Sequence, residues 1–222
     1  MDERLSVLAA MVPQCRVAAD VGADHGKLGV HLLRSGKCET VYLTDVSAPS
    51  LEKARRLVQR EGLEARCLIR VGDGLDPLPE FDAAVIAGMG GATIMGILQR
   101  GMDKIGQASL ILEPNVGAAD LRRFLAENGF SISDEAVTRA GGRWYVCIRA
   151  EKGSMTLTEA EALAGPVLLK RKDKGLAGYK EFRVRVAQKA LQGAEKADPV
   201  SAEALKNELR IWEEIGHALS EN

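Results

Sequence analysis

Apolar positions along the chain alternate between two habits, short solid runs and stripes spaced three or four residues apart. Leu5, Leu8, Ala9 and Val12 share one helical face and predict a leading helix over 2–12, stopped by Pro13. Five runs then read as buried strands: RVAADVG (16–22), TVYLTDV (40–46), ARCLIRV (65–71), FDAAVIAG (81–88) and SLILEP (109–114). Helical stripes separate them at 25–35, 50–61, 92–104 and 117–128, with Gly36, Gly62 and Asn128-Gly129 as stops. FSISDEAVTRA and RWYVCIRAE follow with only Gly141-Gly142 between them, the signature of an antiparallel hairpin. Strands alternating with helices imply a parallel sheet covered on both faces.

The pattern breaks around 151–157 and predicts two domains, 1–154 and 155–222. Thr158 to Glu161 forms a capping box that opens a short helix ended by Gly165-Pro166. Tyr179, Phe182, Val186, Ala190 and Ala194 make one stripe over 176–196. Leu205, Leu209, Trp212, Ile215 and Leu219 make another after the break at Pro199-Val-Ser201. Two such stripes predict an antiparallel helical hairpin of coiled-coil type. A parallel sheet finished by an antiparallel pair resembles the class I (Rossmann-like) methyltransferase sheet, an α/β fold. A dinucleotide fold more often continues strand, helix, strand.

Composition narrows the class. The 222 residues are 46% hydrophobic and 27% charged, ordinary for a soluble domain. No apolar stretch is long enough for a bilayer and the first residues begin acidic, so a cytoplasmic protein without membrane contact is expected. Cys15, Cys38, Cys67 and Cys147 stand apart, without CxxC or a Cys/His cluster, and read as reduced thiols rather than a metal site. Net charge is −1, yet residues 165–196 hold nine Lys or Arg against three Asp or Glu, and residues 197–222 hold two against six. Opposite signs suit two packed helices with a surplus left for an anionic partner; solvated helix faces are the plainer alternative.

Candidate chemistry gathers where the strands end. Asp20 precedes Gly22 and either faces a ligand ammonium or orders the loop through backbone N–H groups. Asp45 lies 23 residues after Gly22, where nucleotide-binding α/β folds hydrogen-bond ribose; its alternative is a turn aspartate before SAPS. Gly72-Asp73-Gly74 offers a carboxylate between glycines for an adenine amino group, with Gly74 allowing the ring to approach. A loop with acids and no Lys or Arg over 22–26 disfavours a pyrophosphate and favours an uncharged nucleoside such as that of S-adenosyl-L-methionine (SAM). AGMGG (87–91) ends a strand on the edge where an acceptor would approach, with Gly88 expected beside the cofactor and Met89 and Gly90 beside the acceptor, or it is turn chemistry only. Glu113, Pro114 and Asn115 are expected to wall the acceptor, or to be turn residues only. Asp24 stands where a nucleotide loop usually carries a glycine, His25 follows it, and both are candidate catalytic groups. Alternatively, Asp24 caps a helix starting at His25 and His25 makes a structural hydrogen bond.

With VGADHG, AGMGG, EPN and the basic hairpin quoted together, the chain resembles the bacterial tRNA (adenine-22-N1)-methyltransferase family over nearly its whole length. The resemblance implies SAM as cofactor, tRNA as partner, no metal, and methylation of N1 of a D-loop adenine. It makes Asp24 the catalytic candidate, with His25 and Asn115 beside it, and Asp20, Gly22, Asp24, Asp45, Asp73, Gly74 and Gly88 the cofactor site. Lys170, Arg171, Arg183, Arg185 and Lys189 would hold the tRNA backbone. The chain departs from the family where Gly26-Lys27-Leu28-Gly29 follows His25, where Glu113 replaces a common Gln, and at the bulky pair Trp144-Tyr145. A small-molecule methyltransferase that dimerises through its hairpin, or a silent SAM-fold binding protein, are the rival readings. Oligomeric state is left open, with a monomer favoured.

Overall fold

Packing divides the chain into Met1–Met155 and Thr156–Asn222. The computed structural model describes residues 3–220, so Asp2 of the expected leading helix lies outside the described residues. The first unit runs α1 (Glu3–Met11), β1 (Cys15–Val21), α2 (Lys27–Arg34), β2 (Cys38–Asp45), α3 (Ala48–Arg60), β3 (Cys67–Val71) and β4 (Ala83–Met89). It continues α4 (Gly91–Arg100), α5 (Met102–Ile105), β5 (Ser109–Pro114), α6 (Ala118–Glu127), β6 (Phe130–Ala140) and β7 (Arg143–Lys152). The solid apolar runs became strands because both faces are covered: Ala18, Val41, Leu43, Ala83, Val85 and Ile111 are all fully buried.

The sheet order is β3-β2-β1-β4-β5-β7-β6. β1 pairs in parallel with both β2 and β4, and β7 runs antiparallel to β5 and β6. Strand order therefore reverses between β1 and β4, and a crevice opens at their carboxyl ends, where open α/β sheets take ligands. This is the Rossmann-like sheet with a closing antiparallel pair. Behind it, Arg122 and Glu135 form a fully buried ion pair at 2.7 Å that ties α6 to β6. Cys38, Cys67 and Cys147 are buried free thiols and Cys15 a half-buried one.

Most boundaries shift by a residue or two from expectation, and two of the differences are instructive. α2 begins at Lys27 rather than His25. The single helix expected over 92–104 divides into α4 and α5 at Gly101, where an added Cβ would lie 2.7 Å from Leu75 Cδ1.

The second unit holds α7 (Glu159–Ala164), α8 (Pro166–Arg171), α9 (Lys174–Ala197) and α10 (Pro199–Ser220). Thr158 closes the expected capping box with Glu161. α7 ends at Gly165 as expected, and Pro166 then takes the first-turn position of a further helix, α8, where its missing N–H costs nothing. α9 and α10 pack antiparallel: the Tyr179 and Trp212 rings meet edge-on at 6.1 Å, Arg183 reaches Glu208 at 2.8 Å, and Lys206 lies 3.9 Å from Glu195. The inward stripe of α9 is shifted from the expected one. Leu176, Tyr179 and Ala187 are buried, whereas Val186 and Ala190 are exposed. Among the described residues no helix is long and apolar enough to cross a membrane.

Candidate active site

The loop after β1 turns on two glycines with positive φ, a backbone conformation that other residues rarely adopt. Gly22 has φ +73°, and a Cβ there would fall 2.2 Å from Met89 Cε. Its N–H and that of Ala23 both donate to Thr44 O, at 2.8 and 2.9 Å, so the turn is pinned to β2. Gly26 N–H closes a turn onto Ala23 O at 2.8 Å, and Gly26 itself precedes α2 with φ +67°. Asp24 therefore does not cap the helix. It sits at the tip of that turn with φ +46°, a conformation a non-glycine residue adopts only at a cost. Its N–H donates to Asp45 Oδ2 at 3.2 Å, and its carboxylate Oδ2 meets His25 Nδ1 at 2.6 Å. Both side chains face solvent, Asp24 at 59% and His25 at 45% exposure, so a substrate can reach either.

The three strand-end acids differ in their surroundings. Asp20 is buried and accepts from Gly29 N–H at 3.2 Å; burial pushes its carboxyl up to about 7. Asp45 takes Ser47 N–H on Oδ1 at 2.8 Å and Asp24 N–H on Oδ2, thus combining the turn role with a pinned orientation. Each oxygen still has a lone pair for a ligand hydroxyl. Asp73 pairs with Arg100 at 2.8 Å, both more than half exposed, an ion pair weak enough for a ligand to displace. Beside it, Gly74 lies flat against Ile97, 2.9 Å from where a Cβ would stand.

On the other side of the crevice, Gly88 has φ +76°. Asn115 grips this loop twice, through N–H to Met89 O at 2.8 Å and Nδ2 to Gly88 O at 2.7 Å, which leaves Oδ1 to accept from a ligand. Gly90 precedes α4, and Gly91 N–H bonds Val116 O at 2.8 Å. At Gly91 a Cβ would lie 2.7 Å from Gly117 O, so the two loops touch backbone to backbone.

Three residues expected at the substrate are engaged inside the protein. Glu113 is fully buried, with Oε2 shared between Arg4 Nη1 at 2.8 Å and Gly88 N–H at 2.9 Å. Pro114 is also buried, as the last residue of a strand covered on both faces. Arg183 is committed to Glu208 inside the hairpin. Lys170 and Arg171 lie exposed in the last turn of α8, and Arg185 and Lys189 lie exposed on α9.

Arg4 is the residue the sequence reading missed. Together with Leu5, Asp20, Gly22, Asp24, His25, Lys27 and Ala87 it lines a cavity of about 200 Å³ under the glycine turn. Its guanidinium lies 5.5 Å from the Tyr145 ring centroid as well as on Glu113. Among the described residues no group of three or more His, Cys, Asp or Glu is placed to hold a metal ion.

The cavity sets a cation, Arg4, against an anion, Asp20, and Asp45 stands at the end of the neighbouring strand β2. Comparison with known proteins gives the family. A methyltransferase-domain family matches residues 1–148. The tRNA (adenine(22)-N(1))-methyltransferase of Bacillus subtilis is 34% identical over 182 residues, spanning 78% of this chain and 76% of the relative. The crystal structure of the B. subtilis m1A22 tRNA methyltransferase superposes with a TM-score of 0.88 at 28% identity, covering 97% of this chain and 98% of that one. A Streptococcus pneumoniae structure in complex with SAM gives 0.88 at 27% identity, covering 97% and 99%.

Proposed function

The chain belongs to the methyltransferase-domain family and, within it, to the tRNA (adenine(22)-N(1))-methyltransferases, and on that footing we propose that it transfers a methyl group from SAM to N1 of adenine 22 in the D-loop of tRNA. The observation that carries this reading is the division of one sheet edge. Acids close β1 and β2 on one side of the switch point. On the other, a glycine loop is held open by Asn115.

SAM supplies a methyl group on a sulfonium sulfur. Adenine N1 attacks it with its own lone pair: the N1–C bond forms, the C–S bond breaks, and sulfur keeps the electron pair. No base is needed before attack. The protein's work is alignment and stabilisation of the positive charge that moves onto the ring. Asp20 receives the methionine ammonium and Asp45 the ribose hydroxyls. The Asp24 carboxylate, solvent-facing and beside the cavity, stabilises the developing charge on adenine and accepts a proton from its amino group. His25 holds that carboxylate in place. The Oδ1 of Asn115 accepts from the adenine amino group, and the Gly88–Gly91 loop lets the ring approach the backbone. N1 lies on the pairing edge, so the adenine must be unpaired or swung out of its helix. Lys170, Arg171, Arg185 and Lys189 contact tRNA phosphates, and a tRNA substrate implies a cytoplasmic protein.

Incubation with unmodified tRNA and SAM labelled in its methyl group tests the reading. Label should enter tRNA, and Asp45→Ala should weaken SAM binding by about 1.5–3 kcal/mol through the lost ribose contacts. Absence of label in tRNA overturns it.

A further inference from the structure

The sheet edge that carries the site does not stop at β5. β7 runs antiparallel to β5 with Leu112 opposite Ile148, so Pro114 is level with Val146 and residues 143–145 run on past the end of β5. The β6–β7 hairpin therefore projects beyond the carboxyl edge on the acceptor side, next to the strand from which Asn115 emerges. Gly141 and Gly142 close it in a two-residue turn with φ +55° and +78°, and nothing lies within 4 Å of where a Cβ would stand on either.

The two faces of this tip differ. On one, Tyr145 lies against Arg4 and Thr138 donates to Glu3 at 3.0 Å. On the other, Arg139 stands opposite Trp144 across the strands, its guanidinium 5.9 Å from the ring centroid. Trp144 is half-buried, and Arg139 and Arg143 are exposed. Residues 138–145 hold two arginines and no acid, in a chain of net charge −1. Val116, 71% exposed, follows Asn115 and leaves an apolar side chain in water at the same edge. Such a surface suits an unpaired base and its phosphate, because bases stack on aromatic rings and guanidinium groups hydrogen-bond phosphate oxygens.

We infer that the tip of the β6–β7 hairpin is an RNA-contacting element, in which the Trp144 ring stacks on an unpaired nucleotide flanking the acceptor adenine and Arg139 and Arg143 take the adjoining phosphates. An adenine that leaves its stack to present N1 uncovers the base beside it. Trp144 replaces the lost stacking partner, and the arginines hold the strand in that opened form. The inference rests on tRNA being the substrate.

Filter binding of the full chain to unmodified tRNA across a salt series, with calorimetric SAM affinity as the control for folding, tests it. Trp144→Ala should lower tRNA affinity about five- to a hundredfold, and Trp144→Phe, which keeps a ring, should recover most of the loss. Arg139→Ala together with Arg143→Ala should reduce the slope of log tRNA affinity against log salt by about 1–2. SAM affinity should hold in all of these variants. Native tRNA affinity in Trp144→Ala, or equal losses in Trp144→Ala and Trp144→Phe, would overturn the inference. If Trp144→Ala loses SAM affinity as well, the exposed arginine pair decides, and an unchanged salt slope there overturns it. Failure of the native chain to methylate tRNA would instead overturn the substrate reading itself.

Discussion

Glu113 Oε2 joins Arg4 Nη1 at 2.8 Å, bringing together residues 109 positions apart, while the same oxygen accepts Gly88 N–H at 2.9 Å. One buried carboxylate thus couples the leading helix to the loop that the acceptor approaches. Burial pushes the Glu113 carboxyl up, and Arg4 and Gly88 pull it back. Removing it strands a cation and an N–H. Glu113→Ala is expected to cost about 3 kcal/mol in denaturant unfolding, and Glu113→Gln, which keeps an acceptor, about 1 kcal/mol. Equal stability of the native chain and Glu113→Ala would show that the tie is not structural.

Asp20 makes cofactor binding depend on pH. Its carboxyl is raised to about 7 by burial, so the folded chain holds the proton more tightly than the unfolded chain does. This group's contribution to stability is therefore fullest in acid. It declines as pH rises from the ordinary carboxylate range to about 7, and is flat above that. Binding runs the other way, because only the ionised form attracts an ammonium. SAM affinity should rise between pH 5.5 and pH 7.5, and Asp20→Asn should flatten that rise. An identical slope in Asp20→Asn would place the titrating group elsewhere.

Asp24 is placed by its turn and not by a helix cap, which sharpens its test. Asn tolerates positive φ well, so Asp24→Asn keeps the turn while losing the charge. Single-turnover methylation should fall by roughly 10²-fold, with SAM affinity and melting temperature nearly unchanged. Near-normal turnover would remove Asp24 from catalysis and turn attention to His25 and Asn115.

Within the hairpin, arginines two positions apart should behave oppositely. Arg183 is tied to Glu208, and Arg183→Ala should lower hairpin stability by about 1–2 kcal/mol. Arg185 and Lys189 are exposed. Replacing both with Ala should leave unfolding unchanged and reduce the slope of log tRNA affinity against log salt by about 1–2. An unchanged slope would mean that this face does not carry the phosphate contacts.

Much of the sheet was legible because its strands advertise burial. SLILEP became β5 residue for residue, since every one of its positions is buried and Pro114 ends the run. Helix starts were harder to place. Gly165-Pro166 reads as a stop, and nothing in the local pattern signals that Pro166 also opens α8, whose Leu168 is buried. On α9 the inward stripe runs Leu176, Tyr179, Arg183, Ala187. An arginine in its middle hides the register and makes Phe182 and Val186 look like the buried face. The same blindness applies in the site. Asp20, Gly22 and Asp45 announce themselves by standing at strand ends. Arg4 acquires its place only through Glu113 and Tyr145, contacts that no local pattern encodes. The burial of Glu113 is hidden for the complementary reason, because a charged residue at a strand end looks solvent-facing until a distant cation neutralises it.

The central claim is the acceptor atom, and nucleoside mass mapping reads it directly. Unmodified tRNA carrying adenine at position 22 is incubated with SAM and the native chain, then digested and mapped beside the same tRNA carrying guanine there. The account predicts 1-methyladenosine at position 22, one methyl group per molecule, and no methylation of the guanine variant. Methylation at another position, on another atom, or undiminished in the guanine variant would contradict it.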